Sequence, residues 1–185
     1  MKRALLALAI LSFATVANAE LPLDRGFGGA LRGCETWVLE PATWADGVAP
    51  FEAKVGLGSS MGLVDKISDE SLPPEQLRLA NHYWRINSSG DTGYLLVVSD
   101  RLPICHITGG GGIDLRPAIM STLSSPDFKD HWKLVGTHSS GGLISNEYRN
   151  HEEPKFSMMI SFPDDTHWSI DKLQVIATAQ MQLGN

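Results

Sequence analysis

The chain has 185 residues, 15 of them basic and 21 acidic, giving a formal charge of −6 at neutral pH. It holds no run of Lys and Arg, which argues against a nucleic-acid partner or an anionic membrane, since phosphate neutralisation needs clustered cations. Beyond residue 19 no apolar stretch approaches the roughly 20 residues of a membrane-spanning helix, so no membrane insertion is expected.

Lys2 and Arg3 precede an apolar run from Ala4 to Ala17, and Ala17-Asn18-Ala19 forms an A-x-A cleavage site. Residues 1–19 read as a secretory signal peptide, and residues 20–185 as a single exported domain in a bacterial periplasm. A membrane anchor in their place would need a longer run and no cleavage motif. Losing Lys2 and Arg3 leaves 13 basic residues against 21 acids, a charge of −8. Such a surface gives solubility and steers a basic partner. The remaining 166 residues, 185 less 19, suit one domain with its own core. The two cysteines, in an oxidising compartment, are expected to pair as Cys34–Cys105. A reactive thiol would want a CxxC motif or a base at hand. His106 adjoins Cys105 only in sequence, because strand neighbours point to opposite faces.

In chain order, Asp24 to Leu39 has the spacing of an amphipathic helix, with Phe27, Leu31, Cys34 and Val38 in one stripe. Glu40 to Asp69 is irregular, with room for one short helix or strand. Pro73-Pro74 is expected to open a helix running through Trp84, with Leu77, Ala80 and Trp84 on one side. Tyr94 to Ser99 is apolar and uncharged, the pattern of a buried central strand. Asp100 to Pro103 supplies a turn, and Ile104 to Thr108 returns as its hairpin partner. Cys105 and Ile107 then face the first helix, and Ile104, His106 and Thr108 face away. Asp114 is placed to cap a helix that ends near Ser124-Ser125-Pro126. Four strands follow: Trp132 to His138, Leu143 to Arg149, Phe156 to Phe162, and Leu173 to Met181. The expected fold is α+β, an antiparallel sheet of five to six strands with two or three helices packed on one face and one disulfide.

Several motifs invite chemistry. Gly58-Ser59-Ser60-Met61-Gly62 fits G-x-S-x-G, but a nucleophile elbow needs a buried strand before it and a helix after it. The flanks carry Glu52 and Lys54 and then no helical pattern, so a glycine-rich turn is expected. Gly109, Gly110, Gly111 and Gly112 follow a strand and precede a helix, where backbone N–H groups can cradle phosphate. Asp114 stands where the last glycine of G-x-G-x-x-G would be, and no Lys is near in sequence. A flexible hairpin-to-helix connection, serving as a lid or a contact loop, fits better. His151-Glu152-Glu153 and Asp164-Asp165-Thr166-His167 place carboxylate beside imidazole, but neither has a zinc spacing. No metal and no cofactor is expected. His106 and His138 lie in strands and can share a sheet face. Of the five tryptophans, Trp168 follows the most polar stretch and is expected to be the most exposed.

Cys34 in an early helix, the D-T-G-Y-L-L-V-V strand and P-I-C-H-I-T-G resemble a group of small uncharacterised two-cysteine exported proteins of Gram-negative bacteria. The resemblance spans Leu31 to Thr122. It implies compartment and disulfide and brings no activity with it. The leading expectation is therefore a periplasmic binding or interaction module, one version being an acidic protein inhibitor of a basic secreted enzyme or toxin. Its binding face would be built from the Gly109–Gly112 loop and the Gly141–Gly142 and Asp164–Trp168 turns, with His106, His138 and Trp168 among the binding residues. The competing expectation is a small hydrolase or metal-dependent enzyme using His106, His138 or His167 with Asp164 or Asp165. Convergence of the histidines on one pocket would separate the two.

Overall fold

The structure, a computed structural model, describes residues 21–182; the expected signal peptide, residues 1–19, lies outside the described residues. Helix α1 (Leu23–Leu39) follows the expected stripe, burying Phe27, Ala30, Leu31, Cys34 and Trp37. Its glycines, each costly in a helix, let it lie close to its neighbours. A Cβ at Gly33 would fall 2.8 Å from Leu96, and one at Gly29 would fall 2.5 Å from Leu57. The irregular segment after α1 contains a short helix, α2 (Ala49–Val55), which buries Phe51 and Val55. Gly58–Ser60 is a single 3-10 turn that runs directly into strand β1 (Met61–Val64). A strand follows Ser60 instead of a helix, so the elbow geometry is absent.

The expected helix from Pro73 to Trp84 does not form. Only Glu75–Leu77 makes a 3-10 turn, Ala80 takes a left-handed φ of 48°, and Asn81–Ser89 is strand β2. Trp84 and Ile86 are completely buried on one side while Arg85 between them is exposed, a period of two. Their partners explain the choice: Trp84 lies opposite Leu96 and Ile86 opposite Tyr94. The apolar strand β3 (Thr92–Ser99) needs a partner on each side, and packing overrides helical spacing. On its other side β4 (Ile104–Gly110) completes the hairpin. Ser99 shapes the turn, its Oγ accepting from Arg101 and Leu102 N–H at 3.1 and 3.0 Å.

Helix α3 (Arg116–Ser124) starts after Asp114, whose Oδ1 accepts from Arg116 N–H at 2.9 Å. Helix α4 (Pro126–His131) is capped by Ser125, whose Oγ accepts from Phe128 N–H. The chain then forms β5 (Trp132–Ser140), β6 (Leu143–Asn150), β7 (Phe156–Pro163) and β8 (Val175–Met181). All eight strands join one antiparallel sheet in the order β1-β2-β3-β4-β8-β7-β6-β5. The expectation of five to six strands is thus corrected to eight, because β1 and β2 extend the sheet beyond the central hairpin. The α+β class stands.

One face of this sheet carries the core. Trp84, Tyr94, Leu96, Cys105, Ile107, Phe156, Met158, Ile160 and Ala177 pack against Phe27, Leu31, Phe51, Ile119 and Phe128. Cys34 of α1 and Cys105 of β4 are both fully buried and joined as the expected disulfide. Beside Cys34 on α1, Glu35 accepts from the buried Asn150 Nδ2 at 2.6 Å and meets His131 Nδ1 at 3.0 Å. This contact holds the His131 pKa above its ordinary value, against a smaller opposing effect of burial. The opposite sheet face mixes polar side chains, including Thr108, Thr178, Ser145 and Ser161, with apolar ones such as Leu95, Val97, Ile104 and Ile176.

Candidate binding cleft

The sequence signal at Gly109–Gly112 leads to an open cleft of about 510 Å³. Gly109 to Gly112 form one wall. The β2–β3 turn at Asp91 and Thr92, the Glu70–Ser71 segment and the Ile170–Leu173 segment supply the others. Arg85, Leu95 and Thr108 lie in one cross-strand row over its floor.

The glycines serve close approach here. A Cβ on Gly109 would fall 2.7 Å from the Tyr94 ring, and Gly111, at φ 127°, would put one 2.4 Å from Thr92 Cα. Only glycine fits both the space and the backbone angle. The tract is also clamped by its neighbours. Gly112 N–H donates to Asp91 Oδ1 at 3.1 Å and Ile113 N–H to Thr92 Oγ1 at 3.0 Å. Gln174, fully buried, accepts from Leu115 N–H at 2.7 Å and donates to the carbonyls of Gly111 and Ile113. The flexible connection expected from the glycines is a pinned wall.

Charges of both signs edge the cleft: Glu70, Asp91 and Asp171 against Arg85 and Lys172. Neither Arg85 nor Lys172 makes an ion pair among the described residues. The sequence places no Lys beside the glycine tract; the fold brings Lys172 there from 60 residues on. Glu70, Arg85, Asp91, Asp171, Lys172 and Gln174 are the site residues that sequence reasoning missed. Arg85 and Lys172 lack any motif, and Gln174 looked like one polar step in an alternating strand.

The histidines do not converge. His106 lies on the open sheet face as expected, yet it is 4% exposed, with Nδ1 2.8 Å from Thr178 Oγ1. Burial lowers its pKa to about 4, so it is neutral at ordinary pH. His138 shares that face through the row Thr108, Ile176, Ser161, Ser145, His138. Four strand spacings separate β4 from β5 in this row, roughly 19 Å. His167 sits in an exposed turn, its Nδ1 2.7 Å from Asp164 Oδ1, which holds the Asp164 carboxyl down to about 2. Asp165 instead meets Arg116 at 2.5 Å. Among the described residues no three His, Cys, Asp or Glu side chains group as a metal would require.

Trp168 was expected to be exposed, but it is half-buried beneath the Arg116 guanidinium, 4.2 Å from the ring centre. Its indole N–H is buried without a partner. Trp37, Trp84 and Trp132 belong to the core, so the tryptophans form no joint recognition patch. Of the expected binding residues, the four glycines meet in the cleft, while His106, His138 and Trp168 lie outside its lining. Comparison with family models, curated proteins and solved structures finds no match. No helix among the described residues is long and apolar enough to cross a membrane.

Proposed function

We propose that this chain is an exported binding module of the periplasm, acting as an acidic protein inhibitor of a basic secreted enzyme or toxin, of which a lysozyme-like hydrolase is one example. The observation that carries this reading is the clamped glycine cleft with Glu70, Asp91 and Asp171 at its edge. A rigid wall loses little entropy on binding. Three carboxylates against two cations, in a chain of net charge −6, attract a Lys- or Arg-bearing loop and speed its encounter. Of the groups in the catalytic alternative, His167 and Asp164 form a pair in an exposed turn outside the cleft lining, while the buried His106 lies four strand spacings from β5, which carries His138.

Calorimetric titration of residues 20–185 with a basic lysozyme-type hydrolase tests the example directly. Periplasmic extract passed over the immobilised chain tests the class. Saturable one-to-one binding is expected, weakened about tenfold by the double substitution Glu70→Gln/Asp171→Asn, which removes two exposed charges. Binding that ignores this substitution, or no retained protein even at low salt, would refute the reading.

A further inference from the structure

The cleft gathers five exposed charged side chains, Glu70, Arg85, Asp91, Asp171 and Lys172. None of the five makes an ion pair among the described residues. Two of them stand on rigid elements. Arg85 is in mid-strand on β2, opposite Leu95. Asp91 is fixed in the β2–β3 turn, its Oδ1 accepting from Gly112 N–H at 3.1 Å and Thr92 Oγ1 at 3.3 Å, which leaves Oδ2 to a ligand. The lining has one aromatic residue, Tyr94, only 2% exposed, so nothing there stacks on a sugar or nucleobase ring. Leu95, Ile170 and Leu173 add a modest apolar surface.

We propose that the cleft binds a short peptide with free ends, its α-carboxylate on Arg85 and Lys172 and its α-ammonium on Asp91. A small ligand of one sign would satisfy one set of charges and meet like charge in the other, whereas a zwitterion complements both. The volume of about 510 Å³ lies in the range of small-molecule sites. Length narrows the class. Asp91 is four residues along the chain from Leu95, at most roughly 13 Å at strand spacing. An extended tripeptide spans about 10 Å, and the Arg85 side chain, which lines the cleft, covers the remainder. A single amino acid is too short to touch both anchors. The glycine wall presents no side chains, so a peptide backbone can approach it closely. Free ends of this kind are what hydrolysis of a peptide bond exposes, which makes the ligand a product of a peptidase-type reaction. Such a peptide is distinct from the basic enzyme proposed above and would compete with it for Asp91.

Calorimetric titration of residues 20–185 with trialanine, in the absence of any protein partner, reads this directly. Saturable one-to-one binding with a Kd on the order of 0.1 mM is expected for a ligand of this size. Trialanine amide and N-acetyl-trialanine each lack one end charge and should bind about tenfold more weakly. Arg85→Gln should weaken trialanine about tenfold and leave its amide unaffected. Asp91→Asn, whose amide oxygen can still accept from Gly112 N–H, should weaken trialanine and leave the acetylated form unaffected. Arg85 is exposed, so Arg85→Gln carries the comparison even where Asp91→Asn lowers the melting temperature. No saturable binding up to about 10 mM peptide, some hundredfold above the expected Kd, overturns the proposal. So do blocked peptides that bind as tightly as trialanine, or an Arg85→Gln variant that weakens all three peptides equally. Failure here leaves the inhibitor reading standing, because the Glu70→Gln/Asp171→Asn test uses neither these peptides nor these substitutions.

Discussion

His106 shows how a sheet position sets the behaviour of an ionisable side chain. The alternation of β4 put it on the face away from α1, and that much was legible in the sequence. Its burial was not, because it depends on Thr178, 72 residues further on. Burial lowers the pKa from 6.5 to about 4. Below pH 6.5 the unfolded chain therefore takes up a proton that the folded chain refuses until about pH 4. The folded state is fully favoured above pH 6.5, and this advantage is lost as the pH falls toward 4. A shift of roughly 2.5 pKa units corresponds to about 3 kcal/mol. Urea unfolding at pH 7 and pH 4 should show the native chain losing about 3 kcal/mol more than His106→Gln. Equal losses would mean that the imidazole charges freely in the folded state.

At the level of elements, the glycine tract and β2 show where local pattern runs out. Both Pro73-Pro74 and the spacing of Leu77, Ala80 and Trp84 suit a helix, and nothing within the segment contradicts it. The deciding contacts are Trp84 with Leu96 and Ile86 with Tyr94, which come from the next strand. The glycine tract likewise looks loose by composition, but Gln174 and Asp91 hold it from elsewhere in the chain. Gln174→Ala would leave the Leu115 N–H and the Gly111 and Ile113 carbonyls without their partner. An unsatisfied buried polar group costs about 1–3 kcal/mol, so a loss of about 3 kcal/mol is expected in chemical denaturation. Faster amide exchange at Ile113 and Leu115 should accompany it. Helix α1 and the β3–β4 hairpin were legible because their periodicities are local and unbroken.

For the whole molecule, the disulfide is the main covalent constraint across the core. It links residues 71 apart in sequence, and on the chain-entropy account closing such a loop stabilises the fold by about 4 kcal/mol. Both sulfurs are inaccessible in the folded state. The double variant Cys34→Ala/Cys105→Ala should lose about 4 kcal/mol by guanidinium unfolding and become indifferent to reductant. A change below 1 kcal/mol would show that α1 is held by packing alone. The pairing followed from two cysteines and the expectation of export, whereas the eight-strand breadth did not, since β1 is short and β2 carries a helical disguise.

The strand order has a consequence for how the chain can be made. Strands β1 to β4 form one meander and β5 to β7 another, and β8, at residues 175–181, is the only strand that joins them. The seam of the sheet is therefore supplied by a strand made after the seven it unites. Until it arrives, β4 and β7 each show an unpaired edge, and the wall that Gln174 pins has no anchor. A chain emerging from its N-terminus must stay unfinished until β8 is made, and until then its two open strand edges need shielding from aggregation. Loss of β8 would leave two half-sheets with no shared backbone ladder.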